Sequence, residues 1–126
     1  MATKQVHANY YFHQTYHSLI RQAYNRCRNY FLLIQFGKDF FHVDTANGII
    51  KAASGHHHIL VDAAGPMASG IVIPKDSVHL HFGNAQTSAE IKLPAGKHTL
   101  TLQFADGLHR SYGDKLSSTV TVNVKN

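Results

Sequence analysis

A single cysteine, Cys27, stands among the 126 residues, which excludes an internal disulfide and any Cys-based zinc knuckle. No apolar run approaches the roughly 18 residues a membrane helix needs, so no membrane span is expected. The opening MATKQVHANYYF lacks the apolar core of a secretory signal, and the chain as written reads as soluble and untargeted. Glu90 is the only glutamate, so a zinc-hydrolase base has no candidate except Asp62. Neither a serine in a nucleophile-elbow setting nor a phosphate-cradling glycine motif occurs. Catalysis therefore finds little support, and a non-enzymatic role is expected.

Charge of one sign is also scarce. Twelve Lys and Arg against seven Asp and Glu give a formal +5. Residues 1–45 contribute +3 through Lys4, Arg21, Arg26, Arg28 and Lys38 against Asp39 and Asp44; the remainder contributes +2. Without a dense basic run, binding of nucleic acid or an anionic surface through Arg21, Arg26 and Arg28 is the weakest reading.

An apolar content of 44% in a chain of this length fits a single globular domain over residues 1–126. From about residue 57 onward, strand and turn alternate. HHHILVD precedes the turn-rich AAGPMASG, and IVI (71–73) stops at Pro74. VHLHF (78–82) ends at Gly83-Asn84, TSAEIKL (87–93) at Pro94-Ala95-Gly96, and HTLTLQF (98–104) at Asp106-Gly107. SSTVTVNV (117–124) closes the chain. Short strands at this spacing predict an all-β, immunoglobulin-like antiparallel β-sandwich, with consecutive antiparallel strands over 78–82, 87–93 and 98–104. The first third differs. Tyr16, Leu19, Ile20, Ala23, Tyr24 and Cys27 recur at helical spacing behind Thr15, which predicts a short helix over residues 15–28. YFLLIQF (30–36) then reads as a buried strand.

What the chain has in excess is histidine, eleven in all. Side chains alternate along a strand, so His57, Ile59 and Val61 share one face, and His56, His58, Leu60 and Asp62 share the other. The β-branched pair marks the first face as core and Asp62 marks the second as wetter. In VHLHF, Leu80 and Phe82 point inward and His79 and His81 outward. If the two strands are neighbours, His56, His58, His79 and His81 meet on one outer surface, and opposed residues about 4.5–5.5 Å apart at Cβ suit an imidazole–metal–imidazole bridge. All-imidazole sites fit Cu(II), Zn(II) or Ni(II), and the lack of thiolates argues against dedicated Cu(I) or iron–sulfur chemistry. His109, in the Asp106–Asp114 loop, is a candidate fifth member. Binding that needs neutral imidazole should weaken as pH falls through about 6.5. His57, facing the core, and His98, following its Pro-Ala-Gly turn, read as structural. His98 sits where a sandwich domain often keeps a corner tyrosine bonded back to the backbone.

GHHHILVD, HLHFGNAQT, LPAGKHTLTLQFADGLH and STVTVNV together resemble the bacterial domain-of-unknown-function family numbered 4399, over roughly residues 48–124. The pattern carries over onto His56, His57, His58, Asp62, His79, His81, Phe82, Gly83, Gln86, Thr87, Gly96, His98 and His109. The resemblance implies a small exported sandwich domain, hence a periplasmic or exported location, but no settled activity. Residues 1–47 form a divergent N-terminal segment. There HQTYHSLIRQAYNRCRNYFLL replaces the expected Asp-Gly turn, as an insertion or a reading-frame disturbance would produce. Two functions follow. One is a module that buffers, delivers or senses copper or zinc, its partner being the metal ion. The other is a structural or interaction module whose histidines bond to one another without metal.

Overall fold

The computed structural model describes residues 10–11, 19–26, 29–35, 42–86 and 88–124, and the regular structure among them is almost all strand. In chain order the strands are β1 (Tyr10–Tyr11), β2 (Leu19–Arg26), β3 (Asn29–Gln35), β4 (His42–Val43) and β5 (Ser54–Val61). They continue with β6 (His79–Phe82), β7 (Ser88–Leu93), β8 (Gly96–Ala105) and β9 (Ser117–Val124). The helical content of the described residues is one 3-10 turn, Asp114–Leu116.

One sheet runs β1-β2-β3-β7 and the other β4-β5-β8-β9, with β6 also paired to β5. β4 joins β5 in parallel and all other pairs are antiparallel, so the second sheet is open and mixed. β8 takes one edge of β5. β4 and β6 follow one another along the opposite edge, linked by the Thr45↔Asn84 bridge.

Register decides which residues meet. His57, Ile59 and Val61 lie opposite Phe104, Leu102 and Leu100 on β8, while His57 and Ile59 lie opposite Phe82 and Leu80 on β6. These period-two sets build the core with Val122 and Val124 of β9. Ala89, Ile91 and Leu93 of β7 complete it, so the last strand of the first sheet closes over the second. Each fully buried Leu, Ile or Phe contributes about 1.5–3 kcal/mol, which makes this face the main source of stability.

The opposite face of β5 and β8 is covered too. The connector over residues 62–78 folds across it: Met67 N–H donates to Gln103 Oε1 (3.1 Å), and Ser111 Oγ donates to the Met67 carbonyl (2.9 Å). Ile73 N–H donates to the His109 carbonyl and Ser111 N–H to that of Ile71, both at 2.8 Å. Leu60, Thr101 and Gln103 are fully buried beneath it.

The helix expected over residues 15–28 is not formed where the structure describes that segment. Leu19–Arg26 is strand β2, laddered to β3 from Leu19↔Gln35 to Arg26↔Asn29 with a shift between Ile20 and Gln22. Residues 15–18 and 27–28 lie outside the described residues. An isolated helix of this length is marginal in water, and the β3 edge offers the same backbone groups partners along a whole strand. Residues 71–73, expected as a strand, hold only the isolated bridge Val72↔Arg110. The segments expected as consecutive antiparallel strands are all present, but β6 pairs with β5 and β7 with β3.

His98 pins one end of the sheet. Its Nδ1 lies 2.7 Å from Asp62 Oδ2, its Nε2 donates to the Pro94 carbonyl (2.9 Å), and Thr99 N–H donates to Asp62 Oδ1 (2.8 Å). Burial works against a proton on His98, but Asp62 and the Pro94 carbonyl more than offset it and raise its pKa above the ordinary 6.5. That stabilisation is present at lower pH and fades as pH rises through the elevated pKa.

Gly55 is the second residue of β5, where a Cβ would be driven into the Ala105 carbonyl oxygen. Both groups are backbone and neither can move aside cheaply. Gly55→Ala should therefore cost about 2 kcal/mol or more. Urea unfolding of the two proteins measures this, and a loss under about 0.5 kcal/mol would contradict the packing.

Candidate metal centre

The triplet in β5 divides by parity. His57 faces the core, fully buried, its ring 5.0 Å from that of Phe104 at 59°. His56 and His58 face the other way, beneath the connector. The sequence reading placed them on a wet outer surface; instead they are 0% and 2% exposed. Alternation marks which residues share a face but cannot tell whether a loop will cover it.

β6 supplies the third ring. His81 lies directly opposite His58 in the ladder. His81 is exposed, and its imidazole rests over Gly83, where any Cβ would meet the ring and Ala46 Cβ would lie 3.0 Å away. The fourth ring, His109, comes from the turn after β8. There Asp106 accepts from Leu108 N–H (2.8 Å), Arg110 N–H (3.0 Å) and Arg110 Nε (2.8 Å). This turn holds His109 at φ 62°, a left-handed conformation that costs a non-glycine residue about 1–2 kcal/mol. Burial pulls the Asp106 pKa upward, but the Arg110 bonds outweigh it and the carboxyl stays below its usual range.

His56, His58, His81 and His109 each offer one ring nitrogen, and these four atoms lie within 4.8 Å of one another. His56 Nε2 is 2.8 Å from His58 Nε2 and 3.1 Å from His109 Nδ1. The six ring-centre separations run from 4.7 Å to 5.8 Å. Four imidazoles bound about 2.0–2.1 Å from one ion place ring centres about 5.2 Å apart when tetrahedral; a square plane gives about 4.5 Å between neighbours and about 6.4 Å across. The observed set has no separation as long as a planar diagonal.

His79, expected in the same site, is not brought into it. It lies two pairs further along, opposite Leu60. Its Nδ1 is 2.7 Å from Asp76 Oδ1, and its backbone N–H donates to the same oxygen (2.9 Å). The Asp-x-x-His spacing was the available signal. The role of Gly83 beneath His81 was not read from sequence, and only the HLHFG run hinted at it.

Burial keeps the inner rings neutral. It lowers the His58 pKa to about 2 and the His56 pKa to about 4, with the neighbouring imidazoles adding to the shift, and lowers His57 to about 3. His81 is lowered too, by burial, His109 and Lys75. Neutral imidazoles carry the lone pairs that ligation requires. One proton on His56 Nε2 can make one straight hydrogen bond, whereas two nitrogens approach it. A cation at the common centre would engage every lone pair at once. The Nδ1 atoms of His56 and His58 are buried without a hydrogen-bond partner in the structure, so these rings are held by packing and not by a second layer of acceptors.

A family model described as Domain of unknown function (DUF4399) matches residues 34–125. No curated protein and no solved structure matches the chain.

A histidine kept neutral in the fold but protonated below about pH 6.5 when unfolded makes stability fall as pH drops, by up to about 1.4 kcal/mol per pH unit for each group. In chelator-treated protein the loss should begin near pH 6.5 and steepen toward pH 5. His57→Leu, which removes one such group outside the cluster, should lower the proton uptake on unfolding by about one between pH 6 and 4.5. Urea melts across that range measure it. An unchanged slope would contradict a neutral buried His57.

Proposed function

We propose that this chain, which belongs to the family described as Domain of unknown function (DUF4399), is a binding module for one transition-metal ion held by His56, His58, His81 and His109. The observation that carries the reading is the convergence of four ring nitrogens within 4.8 Å, two of them on rings that burial keeps neutral. The near-equal ring separations favour Zn(II), with Cu(II) second because it prefers tetragonal geometry. A shell of four imidazoles around the ion favours buffering, delivery or sensing over turnover. We read the two sheets as an immunoglobulin-like sandwich. Support comes from the core shared by β5, β7, β8 and β9, and from His98 Nε2 donating to the Pro94 carbonyl four residues upstream at 2.9 Å, a bond of the corner-tyrosine kind. In this reading the module works in an exported compartment, as the resemblance implies.

The competing reading, an interaction module whose histidines bond only to one another, draws on the same 2.8 and 3.1 Å contacts. It leaves His56 Nε2 serving two neighbours with one proton or one lone pair, and assigns no role to His81 in the cluster.

Zinc at about 100 times its dissociation constant should stabilise the protein by about 2.7 kcal/mol. A thermal melt of protein purified without an affinity tag measures it, with Cu(II) and a chelator in parallel. His58→Ala and His56→Ala should abolish the gain and His79→Ala should retain it. Four exposed imidazoles would lose about 200-fold in affinity between pH 7.5 and 6.0, from their ordinary pKa of about 6.5. Here the loss should be roughly tenfold or less. No metal-induced shift in the wild-type protein, or equal responses from His58→Ala and His79→Ala, would sink the reading.

A further inference from the structure

We infer that His81 is the exchangeable ligand of the cluster, the arm through which metal enters and is handed to an acceptor, so that the centre passes metal on and does not trap it. This rests on the metal-binding reading. The four ligands are not equivalent. His56 and His58 stand on β5, a strand paired along both edges and covered on both faces, and they are 0% and 2% exposed. His109 is half-buried in a turn fastened by Asp106 and tied to the connector through Ile73 N–H. His81 alone is exposed. It stands on β6, a four-residue strand that pairs only with β5 among the described residues. One side of its ring lies against Gly83, where any Cβ would meet it.

Metal leaves a closed tetrahedral site slowly, because an incoming ligand has no position to attack. When one ligand is exposed and can swing away, the acceptor's donor atom takes its place before the remaining bonds break. Three neutral imidazoles then hold the ion with an open fourth position, the arrangement that in other zinc sites admits water or substrate. The acceptor is thus any donor that can reach the face of β6: a chelating small molecule, or a nitrogen, oxygen or sulfur ligand on another protein.

The test is stopped-flow transfer of Zn(II) from the intact protein to EDTA. The wild-type rate should rise linearly with EDTA concentration, as attack at an opened position requires. His81→Ala should still bind one zinc per chain and should release it at least tenfold faster. Gly83→Ala keeps the imidazole but displaces it, and should accelerate release in the same direction. His79→Ala should match the wild type. A wild-type rate independent of EDTA, a His81→Ala rate within twofold of wild type, or binding lost as completely as in His58→Ala would each overturn the inference while leaving the metal site standing. Failure of the wild type to bind zinc or copper in equilibrium dialysis overturns the metal reading itself, and the inference with it.

Discussion

β5 pairs with β8 along one edge and with β6 along the other, in a register that sets His58 opposite both His81 and Gln103, and Ile59 opposite both Leu80 and Leu102. Because side chains alternate, this one register sorts the strand into a core set and a histidine set and matches each to its like on both neighbours. A slip of one residue would bury His56 and His58 in the core and turn Ile59 out. The apolar gain on the core face fixes the register. The geometry of the imidazole cluster follows from it.

Histidine is costly to bury, and this strand buries three in a row. His57 lies in the core with its ring tilted against that of Phe104. His56 and His58 lie on the other face, beneath a connector that brings its own hydrogen bonds: Gln103, Met67, Ser111 and the residue 69–73 segment satisfy one another around the rings. The result is a pair of buried imidazoles, beside the exposed His81, on which protonation is unfavourable. The proposed metal-binding role would give that arrangement its chemical sense, since the burial that disfavours protons keeps the lone pairs that ligation requires.

Much of the imidazole cluster is legible in the sequence. The two histidine runs, their parity, and the separation of His57 from its neighbours followed from the period of two in HHHILVD and VHLHF. The sequence also pointed to His109, through its place in a turn after β8. It misplaced His79, because parity gives a face but not a height along the strand, and Asp76 lay outside any strand pattern. It also treated the histidine face as wet. No local signal in AAGPMASGIVIPKDS says that this segment lies over the sheet, since the bonds that hold it go to residues 103–111, from 36 to 44 positions away.

The sequence by itself determined the all-β character from about residue 57 onward, the turn positions, and which side chains share a face, because each depends on neighbours within a few residues. Tertiary structure decided three things. It made Leu19–Arg26 a strand against its helical spacing, because the ladder to β3 supplies partners that local periodicity cannot anticipate. It sent β7 to the first sheet, and so closed the core. It also brought His109 to His56 across 53 positions while leaving His79 with Asp76, three positions away. A site made of four rings from two strands and a turn exists only once the register, the connector and the Asp106 turn are all in place, and none of these is a local property of the chain.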